Sequence, residues 1–175
     1  MMGDRPIILT GFMSSGKSTV ARAIGHVLSC EVIDLDDAVS AEAGRTPKQI
    51  IETDGEAVFR DMETRVLASV LRSGSAPVIA LGGGAWTINH IRQLIAHHGG
   101  ITFWLDAPFE LCWKRIPDGG GERPLAASEE RARNLYDARK QLYASADVRI
   151  DVRQDRSVAD IAQEIVRIAS AWRTG

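Results

Sequence analysis

The sequence predicts a three-layer α/β fold, in which a five-stranded parallel sheet lies between two layers of helices. Two observations lead to this prediction. Five short apolar runs alternate along the chain with segments of helical periodicity, and the first run is followed directly by a glycine-rich loop and a helix. A chain of 175 residues is long enough to bury the core of one such domain without disulfides or a structural metal. We therefore expect a single domain over residues 1–175.

Five segments are predicted to form the strands of the sheet. Continuously apolar segments are typical of parallel strands that helices cover on both faces, and the last segment instead alternates in the manner of an edge strand. Strand ends are important here because ligands of open parallel sheets collect outside the carboxyl ends of the strands. In chain order the predicted strands cover residues 6–10, 31–34, 76–81, 101–105 and 148–152.

Helices are predicted between these strands from apolar periodicity and from capping residues. Thr46 and Gln49 form the pattern of a capping box, and Pro47 occupies the favoured first helical position. Ser128 and Ser157 are candidate N-caps of two later helices. The predicted helices begin after the glycine-rich loop and at Thr46, and then cover 56–71, 88–97, 109–115, 128–143 and the segment after Ser157.

Composition argues against several classes of protein. The net charge of −2 and the isoelectric point near 6.1 provide no basic surface for nucleic acid. No apolar run reaches the roughly 18 residues of a membrane span, and the N-terminus lacks the apolar core of a signal peptide. Cys30 and Cys112 lie in or beside apolar stretches and are too few for a disulfide framework. We expect a cytoplasmic protein that binds neither nucleic acid nor a membrane and works as a monomer.

Residues 11–19 form the most informative motif, since they fit the phosphate-binding pattern G-x-x-x-x-G-K-[ST] between a predicted strand and a predicted helix. Backbone N–H groups and the positive end of the helix dipole attract phosphate oxygens at such a position. Lys17 is expected to reach the β- and γ-phosphates, and the Ser18 hydroxyl to ligate Mg²⁺. The motif predicts binding of a nucleoside triphosphate by Gly11, Ser14, Ser15, Gly16, Lys17, Ser18 and Thr19.

Further motifs follow this loop in a characteristic order. They are D-x-D at Asp34 and Asp36, G-E-x-x-F-R-x-x-E over 55–63, three glycines over 82–84, R-P-L over 123–125 and R-x-x-L-Y over 139–143. In this order and spacing the chain resembles the shikimate kinase family, which has a nucleoside-monophosphate-kinase-like fold, over residues 7–152. The resemblance implies a P-loop NTPase fold with a lid, and ATP- and Mg²⁺-dependent phosphorylation of shikimate at its 3-hydroxyl, in the biosynthesis of chorismate and the aromatic amino acids.

The chemistry of shikimate agrees with this resemblance. Shikimate is a cyclohexene with one carboxylate and three hydroxyls, so its site needs planar cationic donors and an anionic acceptor. Arg60 and Arg139 could bind the carboxylate, and Asp36 could accept from the hydroxyls. The absence of side chains would let the ring lie against backbone N–H groups at Gly82, Gly83 and Gly84, among which the resemblance points to Gly83.

Phosphoryl transfer needs alignment and neutralisation of charge more than covalent help. Lys17 and Arg123 are expected to neutralise the β/γ region, and Asp34 either to hold a metal-bound water or to accept the proton of the attacking hydroxyl. Arg123 stands on a glycine-rich segment, about 116–127, that we expect to be a mobile lid excluding water from the site. Arg115, before the lid, and Arg156, after the last strand, are expected to border the adenine.

Structural interpretations compete with these roles. Arg60 could form a surface ion pair with Asp61 or Glu63, and Asp36 could cap a helix, although Asp37 is better placed to do so. Two rival functions also stay open at this point, a gluconate-kinase-like small-molecule kinase and a nucleotide-binding module without turnover. Lys17, Ser18, Asp34, Arg60, Arg123 and Arg139 are all present, which argues against the second.

Two features depart from the pattern of the family. Ser14 stands where many relatives carry glycine in the phosphate-binding loop. The stretch between Arg123 and Arg139 is about one helical turn shorter than we expect of the family, which bears on the hinge of the lid and on the placement of Arg139.

Overall fold

The computed structural model describes residues 5–116 and 128–174. Five strands form one sheet, and every neighbouring pair of strands is parallel, as predicted. The strands are β1 (Ile7–Thr10), β2 (Val32–Asp34), β3 (Val78–Ala80), β4 (Ile101–Asp106) and β5 (Val148–Asp151). Their order across the sheet is β2-β3-β1-β4-β5, which places β5 at an edge, in agreement with its alternating sequence.

Helices cover both faces of the sheet, which gives the three-layer architecture predicted from the sequence. Thr46 accepts from the backbone N–H of Gln49 and forms the expected capping box, and Ser128 accepts from the N–H of Arg131. The helices are α1 (Lys17–Leu28), α2 (Leu35–Ala43), α3 (Pro47–Asp54), α4 (Glu56–Ser73), α5 (Asn89–His97), α6 (Phe109–Lys114), α7 (Glu129–Tyr143) and α8 (Val158–Thr174), with a short 3₁₀ turn at Ala85–Thr87.

The start of α2 differs from the sequence-based expectation, which gave the capping role to Asp37. Asp34 is the N-cap instead, because β2 ends there in an extended conformation and its side chain accepts from the N–H of Asp36 at 3.1 Å. Asp36 and Asp37 therefore lie inside the first helical turn. The Asp34 carboxylate is therefore held at the end of β2, and Asp36 lies in the first turn of α2.

The carboxyl ends of β1, β2 and β3 meet at one edge of the sheet. Ala80 in β3 is the register partner both of Leu9 in β1 and of Asp34 in β2. The chain leaves these three strands into the glycine-rich loop, α2 and a turn at residues 82–84. The side chains of Ile7, Ile8 and Leu9 are completely buried, so the central strand is anchored in the core below this edge. These strand ends therefore position the glycine-rich loop, the D-x-D pair at the start of α2 and the three glycines at one edge of the sheet.

Two sequence-based expectations, the role of Arg123 and the lid, concern residues that the structure does not describe. Arg123 and nearly all of the predicted lid fall in 117–127, which lie outside the described residues. Within the residues that are described, no helix combines the length and the apolar character needed to cross a bilayer.

Candidate functional site

A cleft of about 800 Å³ opens at the carboxyl ends of β1, β2 and β3. This volume lies within the range of roughly 300–1,000 Å³ that is typical of small-molecule sites. We call the part beside residues 11–16, the phosphate loop, the nucleotide end, and the part between α2, α4, residues 82–84 and α7 the acceptor end. The predicted site residues that line the cleft are Ser14, Gly16, Lys17, Ser18, Thr19, Asp34, Asp36, Arg60, Gly82, Gly83, Gly84, Arg115 and Arg139.

The backbone of the phosphate loop depends on its two glycines. Gly16 is the N-cap of α1 with φ 103°, a conformation that residues with a side chain rarely adopt. Gly11 packs closely against the backbone of β4, since a Cβ added to Gly11 would lie 2.8 Å from the carbonyl oxygen of Leu105. The loop consequently leads into α1 with the first helical turn at the cleft, where its backbone N–H groups can bind phosphate oxygens.

Lys17 brings a positive charge to the nucleotide end. The residue is only 8% exposed, and its Nζ donates to the carbonyl oxygens of Gly11 at 2.9 Å and Phe12 at 2.8 Å. A buried ammonium group needs such acceptors to offset its desolvation. The two loop carbonyls thus hold the charge beside the position at which the loop can bind phosphate.

Ser14 and Ser15 occupy different sides of the phosphate loop. Ser14 lines the cleft with φ 59°, and its carbonyl oxygen accepts from Nη1 of Arg115 at 3.3 Å. Ser15 is 1% exposed and does not line the cleft, and its Oγ has no hydrogen-bond partner among the described residues. The arrangement brings Arg115 to the nucleotide end and leaves the Ser15 hydroxyl behind the loop.

Ser18 and Asp34 form a pair that fits a magnesium ion. The Ser18 hydroxyl donates directly to Oδ2 of Asp34, and the other carboxylate oxygen accepts from the N–H of Asp36 at 3.1 Å. A hydroxyl and a carboxylate are hard oxygen donors of the kind that Mg²⁺ prefers, and this ion keeps several waters in place of a full protein cage. Across the described residues, no group of three or more His, Cys, Asp or Glu side chains is placed to hold a metal ion.

At the acceptor end, Arg60 on α4 lies between two carboxylates on the same helix. Its Nη1 is 2.5 Å from Oε2 of Glu63, and its Nη2 is 3.0 Å from Oε1 of Glu56. The guanidinium carbon also lies 5.2 Å from the ring centre of Phe59. A Cβ added to Gly84 would collide with this guanidinium, so the missing side chain leaves the space that Arg60 occupies.

Glu63 is the most buried charged residue of the site, with no exposed surface. Burial raises the pKa of Glu63 to about 7, although the charge of Arg60 opposes this shift. Its Oε1 has no hydrogen-bond partner within the described chain. A Cβ added to Gly82 would lie 2.7 Å from this oxygen and 2.5 Å from Oδ1 of Asp36. The two carboxyl groups therefore converge above Gly82, and the charge of Asp36 contributes to the raised pKa of Glu63.

Arg139 reaches the acceptor end from α7. It is 8% exposed and stands one helical turn before Tyr143 on the same helix. Burial raises the pKa of the Tyr143 hydroxyl, and the positive charge of Arg139 opposes this rise. The Tyr143 hydroxyl donates to the carbonyl oxygen of Gly83. The structure thus brings together two guanidinium groups, the Asp36 carboxylate and the turn at 82–84, although they come from separate parts of the sequence.

The structure does not bring every predicted residue to the cleft. Arg156 donates to the carbonyl oxygen of Asp151 at 2.7 Å and forms an ion pair with Glu164 at 2.6 Å, and it is not among the lining residues. Gly11 and Ser15 support the phosphate loop from behind.

Sequence reasoning did not identify Glu63 as a member of the site. From the sequence, Glu63 is the last residue of the motif over 55–63 and a possible surface partner of Arg60, with no role of its own in the site. The signal was available in the helical periodicity, since Glu63 stands three residues before Val66 and four before Leu67, on the buried face of α4. A charged residue on an apolar face indicates either a buried pair or a functional site.

Comparison with known proteins places this geometry in a family. The family model described as "Shikimate kinase" matches residues 13–170. A shikimate kinase of Gloeobacter violaceus is 40% identical over 153 residues, which cover 86% of this chain and 85% of that protein.

Solved structures show the same relationship. The chain matches a shikimate kinase from Acinetobacter baumannii, solved in complex with shikimate, with a TM-score of 0.90 and 32% identity, over 99% of this chain and 97% of that one. A gluconokinase from Sinorhizobium meliloti is matched with a TM-score of 0.62 and 16% identity, over 99% of this chain and 98% of that one. The second likeness shows a shared fold alone.

Proposed function

The chain belongs to the shikimate kinase family, and from this membership and the site geometry we propose that it transfers the γ-phosphoryl group of ATP to the 3-hydroxyl of shikimate. The single observation that carries the assignment is the acceptor end of the cleft. There, Arg60 and Arg139 lie with Asp36 beside a turn of three glycines, next to a phosphate loop. This set provides cations for one carboxylate and an acceptor for hydroxyls.

At the nucleotide end, the phosphate loop and Lys17 would hold the β- and γ-phosphates of ATP. Ser18 and Asp34 would hold Mg²⁺, which when bound neutralises charge on the phosphates. Arg115 lies over the loop at Ser14 and is suited to the nucleotide, and its contact there supports the role predicted from the sequence. For Arg123 the proposed role remains neutralisation of the transferring group from the segment at 116–127.

The proton of the attacking hydroxyl needs an acceptor, and the geometry favours Asp36 over Asp34. Both carboxylate oxygens of Asp34 already accept hydrogen bonds, one from Ser18 and one from the N–H of Asp36. Asp36 projects from the first turn of α2 at the acceptor end, with Oδ1 directed at Gly82. We therefore assign Asp34 to the metal and Asp36 to the hydroxyl, where a carboxylate acts as general base.

The rival functions have less support. A gluconate-kinase-like enzyme shares the fold, but its likeness to this chain stops at 16% identity, and the family model points to shikimate. A module without turnover is disfavoured because Lys17, Ser18 and Asp34 are assembled as phosphoryl transfer requires. The protein is expected to act as a monomer in the cytoplasm, on the sequence arguments above, and light scattering in solution tests the first of these expectations.

An assay of ADP release with shikimate, with gluconate and with no acceptor tests the function. We expect release that depends on Mg²⁺ and on shikimate, and little with gluconate or without an acceptor. Asp36→Asn should lower kcat by about 10²-fold or more, the range for loss of a general base. Asp61→Asn, which changes an exposed carboxylate on α4, serves as the control. ADP release that shikimate does not change would contradict the proposal.

A further inference from the structure

The C-terminal end of α7 is joined to the glycine turn by two hydrogen bonds. The Tyr143 hydroxyl donates to the carbonyl oxygen of Gly83, and the Trp86 indole Nε1 donates to the carbonyl oxygen of Leu142 at 2.9 Å. The two bonds run in opposite directions, since α7 provides the donor of one and the acceptor of the other. Together they fix the end of the helix against the turn at 82–84 and the residues that follow it.

Tyr143 is held firmly enough to act as such a connection. The residue is 1% exposed, and its ring stacks on Trp104 of β4 with 6.4 Å between the ring centres. A buried hydroxyl requires a hydrogen-bond partner, and the carbonyl oxygen of Gly83 provides it. Burial also raises the pKa of Tyr143 to about 12, so the hydroxyl stays protonated and remains a donor at neutral pH.

The same hydroxyl interacts with a residue proposed to bind substrate. Arg139 stands four residues before Tyr143 on α7, both side chains are buried, and the positive charge of Arg139 opposes the rise in the pKa of the Tyr143 hydroxyl, which donates to Gly83. The Tyr143 hydroxyl therefore lies close to two groups of the acceptor end, the Arg139 guanidinium and the Gly83 carbonyl. The backbone of Gly83 also approaches the phosphate loop closely, since a Cβ there would lie 3.3 Å from the backbone N of Met13.

We propose that Tyr143 is a positioning residue for shikimate, whose hydroxyl, supported by the Trp86 bond, holds the Arg139 guanidinium and the Gly83 peptide at a fixed separation. The inference rests on the proposed function, because it concerns how the same acceptor end is shaped. It also offers an account of how Arg139 is placed even with the shorter preceding stretch expected from the sequence. The position of Arg139 is set from the C-terminal end of α7, where the helix is fastened to the turn, and not from the segment that leads into it.

The chain offers a matched control for Tyr143→Phe. Tyr136 lies on the same helix, is 8% exposed, and its hydroxyl donates to the carbonyl oxygen of Ala107 at 3.0 Å. Tyr136→Phe thus also removes a buried hydroxyl and one hydrogen bond to a carbonyl, but at a site that touches neither Arg139 nor Gly83. A purely structural role of the Tyr143 hydroxyl predicts that the two variants behave alike.

The test measures the Kd of shikimate by calorimetry, and the KM of shikimate and of ATP by turnover, in the wild type and both variants. Tyr143→Phe is expected to raise the Kd and KM of shikimate about 10-fold, the effect of losing one hydrogen bond, with the KM of ATP changed less than about twofold. Tyr136→Phe is expected to leave all three constants within about twofold. Equal effects of the two variants, or equal changes for both substrates in Tyr143→Phe, overturn the inference.

A second variant covers the case in which Tyr143→Phe does not fold. Trp86→Phe removes the other bond between α7 and the turn, and it should raise the Kd of shikimate at least about threefold; an unchanged Kd in that variant overturns the inference. Failure of the proposed function is recognised separately. A wild-type protein that neither binds nor phosphorylates shikimate contradicts both, whereas a wild type that does so with Tyr143→Phe unchanged contradicts the inference alone.

Discussion

The two ends of the cleft differ in how the chain assembles them. The nucleotide end is made almost entirely by residues 11–19, where a loop between β1 and α1 provides backbone N–H groups, Lys17 and Ser18. The acceptor end collects Asp36 from α2, Arg60 and Glu63 from α4, the turn at 82–84, and Arg139 from α7. One end is local in the sequence, and the other exists only in the folded molecule.

This difference determines how each end responds to change. Phosphate groups are common to all nucleotides, so a loop that presents backbone donors binds them with few side chains. Recognition of one particular acid requires side chains at fixed mutual positions, which ion pairs and hydrogen bonds between elements must maintain. Substitutions at the nucleotide end should therefore affect catalysis, and those of the arginines at the acceptor end should affect affinity for shikimate. Asp36, the proposed general base, is the member of the acceptor end that should instead affect kcat.

The largest effect is expected for Lys17→Ala. Loss of the ammonium group should lower kcat by about 10²- to 10³-fold, as removal of one stabilising donor typically does, while the Kd of shikimate changes less than about twofold. Lys114→Ala, at an exposed position at the end of α6, is the control. Steady-state kinetics and calorimetry provide the two readouts. A large loss of shikimate affinity in Lys17→Ala would mean that the two ends are not separate.

A second test concerns the buried carboxyl group of the acceptor end. Because the pKa of Glu63 is raised from 4.5 to about 7, the folded state binds this proton more tightly than the unfolded chain. The resulting stability is present at pH 5 and is lost as the pH rises through about 7. Between pH 5 and pH 8, the wild type should lose roughly 2 to 3 kcal/mol of unfolding free energy relative to Glu63→Gln.

Urea denaturation of both proteins at the two pH values measures this difference. Glu56→Gln removes the other carboxylate beside Arg60, but from a side chain that is 47% exposed. Its effect on the free energy should stay within about 0.5 kcal/mol at both pH values. A difference between the wild type and Glu63→Gln that does not vary with pH would contradict the burial of a titrating carboxyl group at this site.

Arg60→Lys should weaken the binding of shikimate at the acceptor end without weakening the binding of ATP at the nucleotide end. Lysine cannot provide the planar fork that binds a carboxylate, so the KM of shikimate should rise about 30-fold, equivalent to about 2 kcal/mol, with the KM of ATP nearly unchanged. Arg45→Lys alters an arginine paired with Asp54 at 2.5 Å outside the cleft and is the matched control. Equal weakening of both substrates would show that Arg60 has a structural role.

The smallest effect is expected for Ser14→Gly in the phosphate loop. Ser14 has φ 59°, a conformation that glycine adopts without steric cost. Glycine also gives the unfolded chain more conformational freedom, which offsets part of this gain, so the unfolding free energy should rise by a net amount of about 0.5 kcal/mol. Ser29→Gly is a matched control, since Ser29 has φ 50° at the end of α1. Both should raise the melting temperature slightly, and a decrease for Ser14→Gly would indicate a specific contact of its side chain.

Much of the fold could be predicted from the sequence because its signals are local. The parallel strands, the edge position of β5 and the capping box at Thr46 follow from apolar patterning and from residues within a few positions of one another. The phosphate loop is equally local, since Gly11, Gly16 and Lys17 act through the backbone of a single turn. The family could be recognised for the same reason, as its motifs are short and ordered.

The sequence by itself thus determined the layers of the fold, the nucleotide end and the family, whereas the tertiary structure decided how the acceptor end is assembled. The convergence of Asp36 and Glu63 above Gly82, and the contact of Tyr143 with Gly83, join residues far apart along the chain. Burial, which sets the pKa of Glu63, likewise depends on elements that pack around it. Local patterns specify backbone conformation, but distances and desolvation between distant side chains arise only when the chain is folded.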